Sequence, residues 1–170
     1  TRKDEETGNW YNLGAHMVWI GDRTRDLEEA HVEYVRGIAN PIGVKLGPGA
    51  TGDALSALLT RLNPKNQGGR ITLITRLGAG QAERVLPELI RSAREHPSPV
   101  AWSCDPMHGN SRATETGVKT RRFEDIQQEL QEVLAIHRKE GSHLAGVHFE
   151  LTGEDVTECT GGVGNLQDHD

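Results

Sequence analysis

Short apolar runs alternate along this chain with segments whose apolar residues recur at helical spacing, and this alternation limits the fold more than any other feature. The runs predict strands, and they are apolar at nearly every position. Strands of this kind are buried on both faces, which is typical of a parallel sheet covered by helices. We therefore predict an α/β fold. The predicted strands are residues 17–20, 42–46, 71–75, 100–104 and 146–151.

Four helices are predicted, one in each gap between consecutive strands. Thr51 is a candidate N-cap, Pro87 is placed close to a first helical turn, where proline is tolerated, and Gly141 ends the last helix. The segment 111–120 is predicted to be a polar loop. The predicted helices are residues 24–37, 51–62, a third whose inward residues span 85–93, and 123–140. The expected buried face of the last helix consists of Phe123, Ile126, Leu130, Val133, Leu134 and His137.

Length and charge narrow the class of protein. The chain has 170 residues, enough for one domain with its own core. Its formal net charge of −6 argues against a general nucleic-acid binder, since phosphate backbones need clustered cations. No apolar run approaches the roughly 20 residues that span a bilayer, and no basic-then-apolar leader opens the chain, so we expect a cytoplasmic protein without a membrane partner. Cys104 and Cys159 form no CxxC pair and are expected to be reduced thiols.

Charged residues lie near or directly after the carboxyl ends of all five predicted strands. This arrangement is the layout of a (β/α)8 TIM barrel active site, whereas a doubly wound open sheet concentrates its ligand groups at one switch point. Five strands cannot close an eight-stranded barrel, so we expect the chain to supply about the last five β/α units. Residues 1–12 are then a linker or loop, residues 13–162 the second part of the barrel, and residues 163–170 an irregular tail. The charged residues are Asp22, Arg23, Lys45, Arg76, Asp105, His108 and Glu150.

Three of these residues, Arg23, Lys45 and Arg76, are cations expected to converge at the mouth of such a barrel. Like charges in one pocket repel each other, so the pattern favours an anionic guest such as a phosphate or a carboxylate. The alternative is that each cation is a solvated surface charge. Their position at the ends of apolar strands favours the anion site.

His108 and Glu150 offer a nitrogen and an oxygen ligand from neighbouring strand ends, a combination that suits Mn²⁺, Co²⁺, Fe²⁺ or Zn²⁺. The pair alone is incomplete, because a closed site needs one or two further ligands. The alternative for His108 is a structural histidine in the turn after Pro106. His148 shares a side with Glu150 by the strand period of two, and is either a partner of that ligand or core filler. Asp105 is a candidate turn cap.

Five motifs in order resemble the class II 3-deoxy-D-arabino-heptulosonate 7-phosphate (DAHP) synthase family, over about residues 13–162. The motifs are residues 19–25 (WIGDRTR), 43–48 (GVKLGP), 104–110 (CDPMHGN), 117–121 (GVKTR) and 148–153 (HFELTG). The resemblance implies a (β/α)8 barrel enzyme that condenses phosphoenolpyruvate with erythrose 4-phosphate and releases phosphate. It also implies a divalent metal, with Mn²⁺ as the first candidate, and a place at the entry step of the shikimate pathway.

The resemblance also implies roles for individual residues. His108 and Glu150 match metal ligands, and Trp19 matches a tryptophan lining the site. Lys45 and His108 are the expected catalytic residues, with Lys45 delivering a proton to the new alkoxide, because crowding by cations makes a lysine release its proton more readily. The residues expected to hold phosphoenolpyruvate are Asp22, Arg23, Lys45 and Arg76. The candidates for the phosphate of the second substrate are Lys119 and Arg121.

Parts of the family pattern have no counterpart in these residues. The first metal ligand of the family, a cysteine near the first barrel strand, and its last, an aspartate in a Cys-Asp-Pro-Arg-type segment, are both absent. We therefore expect the chain to need an N-terminal barrel half as partner, to be inactive alone and to work in a homo-oligomer. Two alternatives stay open: a class II homologue of secondary metabolism, serving a phenazine or aminoDAHP pathway, and a non-catalytic half-barrel used for binding or assembly.

Overall fold

The computed structural model describes residues 1–151, 153–154, 158–164 and 166–167. Thr152 of the last motif and residues 165 and 168–170 of the expected tail lie outside the described residues. The strands are β1 (Arg2–Lys3), β2 (Trp10–Tyr11), β3 (Val18–Ile20), β4 (Ile42–Leu46), β5 (Ile71–Thr75), β6 (Val100–Cys104), β7 (Arg112–Ala113), β8 (Lys119–Arg122), β9 (Gly146–Val147) and β10 (Cys159–Thr160). The helices are α1 (Ala30–Arg36), α2 (Gly52–Leu62), α3 (Ala82–Glu95) and α4 (Phe123–Lys139), and 3₁₀ turns cover Asp22–Thr24 and His108–Asn110.

Five strands form one sheet in the order β3-β4-β5-β6-β9. All four neighbouring pairs are parallel, and one α-helix lies between the two strands of each pair in the chain. The predicted α/β fold with a parallel sheet is therefore confirmed, and β4, β5 and β6 have the predicted bounds. The arrangement is consistent with part of a TIM-like barrel.

The two faces of this sheet have different neighbours. Ile42, Val44 and Leu46 of β4 are buried in the apolar core that the helices complete, and Lys45 lies on the opposite face by the strand period of two. Gly43 shares that opposite face, where an added Cβ would lie 2.8 Å from the Cβ of Trp19. The face of the sheet that carries Lys45 is therefore closely packed, and it ends at the charged residues of the strand ends.

Helices α2 and α3 bury the leucine-rich faces that the periodicity predicts. Thr51 is the N-cap of α2, and its hydroxyl accepts a hydrogen bond from the backbone N–H of Ala54 at 3.4 Å. Helix α3 begins at Ala82, so Pro87 is its sixth residue and lies just beyond the first turn.

Helix α4 has close to the predicted span but a different buried face. Phe123 is 46% exposed and Leu134 is 38% exposed, so the prediction that they face the core is wrong. A carboxylate, Glu129, takes an inward position and is fully buried. Apolar periodicity cannot place such a residue, because its burial depends on partners in other segments. The buried residues of α4 are Ile126, Glu129, Val133, Ile136 and His137.

The first predicted helix, over residues 24–37, is wrong in its first half. The structure has a 3₁₀ turn over Asp22–Thr24, and α1 starts only at Ala30. Between them the carboxylate of Asp26 accepts a hydrogen bond from the backbone N–H of Glu28 at 3.1 Å. A short polar side chain that bonds its own backbone in this way competes with helix formation.

The last predicted strand is shorter than expected, since β9 covers only Gly146–Val147 of the predicted 146–151. Its only partner in the main sheet is β6, which ends at Cys104 just before the Asp-Pro step. The ladder closes with the N–H of His148 donating to the carbonyl of Cys104 at 2.7 Å. Residues 149–151 therefore lie beyond the reach of β6, and Phe149 and Leu151 are exposed.

Two segments expected to be loops contain short hairpins. In the segment 111–120, β7 pairs antiparallel with β8, and the turn between them is closed by the N–H of Thr114 donating to the carbonyl of Val118 at 2.8 Å. In the segment 1–12, β1 pairs with β2. Within the described part of the chain, no helix is long and apolar enough to cross a membrane.

Candidate functional site

A polar cleft of about 480 Å³ lies at the carboxyl edge of the main sheet. Parallel strands that end together bring the residues after them to one place, which is where barrel and open α/β proteins bind ligands. The cleft is lined by Trp19, Gly21, Asp22, Arg23, Thr24, Lys45, Arg76, Asp105, His108, Ser111, Lys119 and Glu150.

The structure brings almost all of the predicted site residues to this cleft. Arg121 does not line it. Its side chain is buried, and its Nε donates to the carbonyl of Met107 at 3.0 Å, while Nη1 lies 3.0 Å from a carboxylate oxygen of Glu158. Arg121 therefore supports the backbone beside His108, and only Lys119 of the two basic candidates reaches the cleft.

Asp105 is the charged centre of the cleft floor, and its carboxylate is fully buried. One oxygen, Oδ2, accepts hydrogen bonds from the ammonium of Lys45 and from Nδ1 of His108, the latter at 2.8 Å. The other, Oδ1, accepts from the backbone N–H groups of Met107 and His108, each at 3.1 Å. Asp105 thus does cap the turn, and it also fixes the two residues expected to be catalytic.

The partners of Asp105 set its protonation state. Burial by itself raises the pKa of the carboxyl, because a charge is less stable away from water. The hydrogen bond from Lys45, the N–H of His108 and the nearby positive charges outweigh burial, so the pKa of Asp105 lies below its ordinary value. The carboxylate is therefore ionised at neutral pH and orients the His108 ring so that Nε2 faces the cleft.

A second carboxylate, Asp22, organises the side of the cleft that carries Arg76. Its Oδ1 accepts from the backbone N–H of Gly47 at 2.7 Å and from Nε of Arg25 at 3.1 Å. Its Oδ2 lies 3.4 Å from Nη1 of Arg76. The other terminal nitrogen of Arg76 donates to the carbonyl of His108 at 2.8 Å. Arg76 is therefore held between two strand ends.

These ion pairs change the electrostatic picture of the cleft. Repulsion among three cations was expected to require an anionic guest, but Asp105 already neutralises Lys45 and Asp22 faces Arg76. The expectation that Lys45 is surrounded by cations is therefore wrong. Arg23 differs, because it is exposed and forms no ion pair among the described residues. Like Lys119 at the rim, which is also exposed, Arg23 is open to an anion from solution.

His108 and Glu150 face each other across the cleft, with Nε2 of the ring 3.4 Å from a carboxylate oxygen. The other oxygen of Glu150 lies 3.6 Å from Nε2 of His148, whose ring packs edge-on against Trp19 with centroids 5.2 Å apart. His148 thus lies next to Glu150. This position matches the first of its two predicted roles, a partner of Glu150. Trp19, on β3, forms the wall on this side.

The pair of His108 and Glu150 fits part of a divalent-metal site. Asp105 holds Nδ1 and leaves Nε2 directed at Glu150, which is how carboxylates commonly orient histidine ligands. Within the described residues, no group of three or more His, Cys, Asp or Glu side chains is arranged to hold a metal ion. This chain therefore presents two suitable donors rather than a closed set.

Comparison with known proteins agrees with the sequence motifs. A model of the class-II DAHP synthetase family matches residues 1–170. The chain belongs to the class-II DAHP synthetase family. The family resemblance inferred from the five motifs is thereby confirmed.

Similar DAHP synthetase sequences come from fungi and bacteria, and all three described here are named phospho-2-dehydro-3-deoxyheptonate aldolase. The Neurospora crassa protein is 52% identical over 163 residues, covering 95% of this chain and 34% of that protein. The Streptomyces coelicolor protein is 47% identical over 162 residues, covering 95% and 36%. The Mycolicibacterium smegmatis protein AroG is 46% identical over 160 residues, covering 94% and 34%. The chain thus spans about a third of the length of these relatives.

Two buried carboxylates of this chain have partners that the sequence pattern does not predict. Asp105 was predicted to belong to the charged strand ends and to cap a turn, and its place directly after a buried strand was a signal that its side chain is buried too. Glu129 gave no signal, since it occupies one position of an ordinary amphipathic helix. Glu129 acquires its partners from two loops that are distant in sequence, and Asp105 pairs with Lys45 on β4.

Proposed function

We propose that this chain forms the second part of a (β/α)8 barrel, about its last five β/α units, in an enzyme that condenses phosphoenolpyruvate with erythrose 4-phosphate to form DAHP. One observation carries the proposal. Arg23, Lys45 and Arg76 line the same cleft as the facing pair His108 and Glu150. Membership in the class-II DAHP synthetase family supports this enzyme over other barrel enzymes that bind phosphate. The remaining barrel units are proposed to lie in the rest of a longer protein, which we propose to work as a homo-oligomer.

The anionic substrate is proposed to bind between the exposed Arg23 and the anchored Arg76, with Lys45 beneath it. Phosphoenolpyruvate carries a phosphate and a carboxylate, and a guanidinium can hold either group through two parallel hydrogen bonds. Asp22 and the carbonyl of His108 hold the side chain of Arg76 in place. This side chain therefore loses little conformational entropy when substrate binds. Arg23 is more exposed and is proposed to complete the contact when substrate arrives.

The metal of this enzyme is proposed to be a divalent ion, with Mn²⁺ as the first candidate and Co²⁺, Fe²⁺ or Zn²⁺ as alternatives. His108 through Nε2 and Glu150 through its carboxylate would hold it, with further ligands from outside this chain. When bound, such an ion polarises the aldehyde of the second substrate. Asp105 contributes by keeping Nδ1 of His108 occupied and the ring fixed.

The proposed reaction forms one carbon–carbon bond and one carbon–oxygen bond to water, and it breaks the carbon–oxygen bond to phosphate. The enol carbon of phosphoenolpyruvate attacks the aldehyde carbon of erythrose 4-phosphate, and water adds to the adjacent carbon of the former enol. The bond from that carbon to the phosphate oxygen then breaks, and phosphate leaves. Lys45 is proposed to give a proton to the new alkoxide, and its hydrogen bond to Asp105 holds the ammonium at the cleft floor. Of the two protons of the water, one leaves with the phosphate and the other replaces the proton that reaches the new alkoxide. Lys119 at the rim is proposed to contact the phosphate of the second substrate.

The test is an assay of the complete protein that contains this chain, with phosphoenolpyruvate and erythrose 4-phosphate. We expect one phosphate released per DAHP formed, loss of activity in His108→Ala and in chelator, and a fall in kcat of roughly 100-fold in Lys45→Met. Lys65→Met is the matched control, because Lys65 is exposed and lies outside the cleft lining. Near-normal turnover of Lys45→Met with intact binding would contradict its role.

The same assay separates the alternatives. A strong preference for an amino-sugar phosphate over erythrose 4-phosphate would place the enzyme in an aminoDAHP pathway. Absence of phosphate release with either aldehyde would contradict the enzyme proposal and favour a non-catalytic half-barrel.

A further inference from the structure

Glu129 is a fully buried carboxylate beneath the cleft, and the proposed reaction does not use it. It projects from the middle of α4 toward the loops that follow β5 and β6. Its Oε1 accepts a hydrogen bond from the backbone N–H of Leu77 at 2.6 Å, and the N–H of Gly78 also donates to this carboxylate. Its Oε2 accepts from the side-chain amide of Asn110 at 2.8 Å.

The two loops joined by Glu129 carry Arg76 and His108. Asn110 strengthens the junction, since its Oδ1 accepts from the N–H of Ala79 at 2.8 Å and its Nδ2 also donates to the carbonyl of Pro106 at 2.8 Å. The side chain of Asn110 therefore bonds both loops and α4 at once.

The backbones of the two loops also touch directly. A Cβ on Gly109 would lie 2.5 Å from the backbone nitrogen of Gly78, a distance that no real side chain tolerates. Gly78 has a φ of +88°, a conformation that favours glycine. These close approaches leave no room for water or a side chain between the loops, so Glu129 and Asn110 fix them as one unit.

We infer that Glu129, acting through Asn110 and the backbone of residues 77–78, is a positioning residue that sets the distance between Arg76 and His108 in the active cleft. The inference rests on the proposed function for its kinetic consequence. Arg76 is proposed to hold phosphoenolpyruvate, and His108 is proposed to hold the metal ion that would polarise the second substrate. A shift of about 1 Å between reacting groups can lower the rate by roughly two orders of magnitude.

The chemistry of the junction favours a carboxylate over an amide. Backbone N–H groups and an amide N–H converge on Glu129, and every one of them is a donor. A carboxylate has two acceptor oxygens for these donors, whereas a glutamine at this position has one acceptor oxygen and brings two further donors. In Glu129→Gln, the side-chain NH₂ donor therefore faces N–H donors, either those of Asn110 or those of the backbone of residues 77–78.

The kinetic experiment compares Glu129→Gln with the unmodified complete protein. We expect kcat to fall about tenfold or more while KM for phosphoenolpyruvate changes less than about threefold, because the binding groups remain but their register with His108 is lost. The matched control is Glu132→Gln. Glu132 lies on the same helix and accepts from the N–H of Gly80 at 2.9 Å, but forms no hydrogen bond with Asn110. Its kcat should stay within about twofold of the reference.

A swapped pair tests the contact itself. Combining Glu129→Gln with Asn110→Asp restores a carboxylate opposite an amide but removes the donor to the carbonyl of Pro106, so it should recover only part of the kcat that Glu129→Gln loses. A merely structural role would lower the amount of folded protein and leave kcat per folded site unchanged. Unchanged kcat in Glu129→Gln would overturn the inference.

Hydrogen–deuterium exchange tests the junction without any activity. In Glu129→Gln and in Asn110→Ala, the amides of residues 76–80 should exchange about tenfold faster, while those of residues 71–75 in β5 keep their protection. Equal exchange of residues 76–80 in the variants and the unmodified protein would overturn the inference. If the unmodified protein forms no DAHP, the proposed function fails, and the exchange result still decides whether Glu129 fixes the two loops.

Discussion

At the scale of single residues, Asp105 determines how the cleft is built. Its buried carboxylate bonds Lys45 and His108 on one oxygen and two backbone N–H groups on the other. Removing one partner of a buried ion pair is expensive, because it leaves the other charge buried without compensation. The stability of the cleft floor and the orientation of the proposed catalytic groups therefore depend on the same atoms.

Asp105→Asn should lower the free energy of unfolding by about 3 kcal/mol or more, because the ammonium of Lys45 loses its counter-charge inside the protein. Urea denaturation at neutral pH measures this change. The control is Asp26→Asn, an exposed position where asparagine can still accept the bond from Glu28, and it should cost less than about 0.5 kcal/mol. The double variant Lys45→Met with Asp105→Asn should cost clearly less than the sum of the single variants; strict additivity would contradict the pairing.

Gly47 gives a second prediction at this scale, since it allows Asp22 to approach the backbone. A Cβ on Gly47 would lie 2.3 Å from Oδ2 of Asp22, whereas a Cβ on nearby Gly49 would meet nothing within 4 Å. Gly47→Ala should therefore displace Asp22 from Arg76 and lower stability by about 1–3 kcal/mol. Gly49→Ala should stay within about 0.5 kcal/mol of the reference. Thermal or urea unfolding measures both, and equal effects would contradict this reading of the contact.

At the scale of secondary-structure elements, α4 buries two titratable side chains whose pKa values shift in opposite directions. His137 is buried, with Nδ1 3.0 Å from the hydroxyl of Ser142 and its ring edge-on to Trp102. Burial, aided by the charge of His143, lowers the pKa of His137 to about 4. Burial raises the pKa of Glu129 to about 6, and the nearby charge of Asp105 adds to this shift.

The low pKa of His137 predicts acid sensitivity. In the unfolded chain this histidine takes up a proton near pH 6.5, whereas in the folded protein it stays neutral until about pH 4. The free energy of unfolding therefore decreases as the pH falls between those values. Between pH 7 and pH 4.5 the loss due to His137 is about 2 kcal/mol. His137→Gln, which keeps a partner for Ser142 but does not titrate, should lose correspondingly less stability over that interval.

Urea denaturation at the two pH values measures the difference between His137→Gln and the unmodified protein. The contribution of Glu129 has the opposite sign, because its raised pKa makes the folded state gain stability on acidification through pH 6. That contribution is common to both proteins and cancels. His143→Gln, at an exposed site, is the control and should follow the unmodified protein. A parallel pH dependence of His137→Gln and the reference would contradict the prediction.

The bounds of an element were predictable from the sequence where the burial of its own apolar residues determines them. The bounds of β4 and β5 follow from runs that are buried at nearly every position. The bounds of β6 follow from a shorter apolar pattern, in which Trp102 and Cys104 are buried. The start of α1 was not predictable from periodicity, because the local bond between Asp26 and Glu28 competes with the helix. The end of β9 was not predictable either, since it depends on where β6, a distant segment, stops offering partners.

At the scale of the whole molecule, strand ends explain why most of the candidate site was predictable. Parallel strands bring their carboxyl ends to one edge, so Arg23, Lys45, Arg76, His108 and Glu150 meet once the strand order is known. The ion pairs with Asp22 and Asp105 were not predictable in the same way. Asp22 and Arg76 lie 54 residues apart in the chain, and Lys45 and Asp105 lie 60 apart, so these pairs depend on side-chain packing between distant segments.

The molecule as a whole is consistent with one part of a barrel. The main sheet ends at β3 on one side and at β9 on the other, and this chain spans about a third of the length of its relatives. Its cleft holds cations and two suitable metal donors, but no closed metal-binding group among the residues that the structure describes. We therefore propose that this third carries the phosphoenolpyruvate contacts of a longer enzyme.

Calorimetric titration of phosphoenolpyruvate into the complete protein, without the second substrate, tests that claim most directly. Loss of a charge-assisted bidentate contact is worth about 1.5–3 kcal/mol, so Arg23→Gln and Arg76→Gln should each raise Kd roughly 10- to 100-fold. Arg61→Gln is the control, because Arg61 lies on the outer surface of α2 and pairs with Glu33. Its Kd should equal that of the unmodified protein. Unchanged affinity in both Arg23→Gln and Arg76→Gln would contradict the assignment of this cleft to phosphoenolpyruvate.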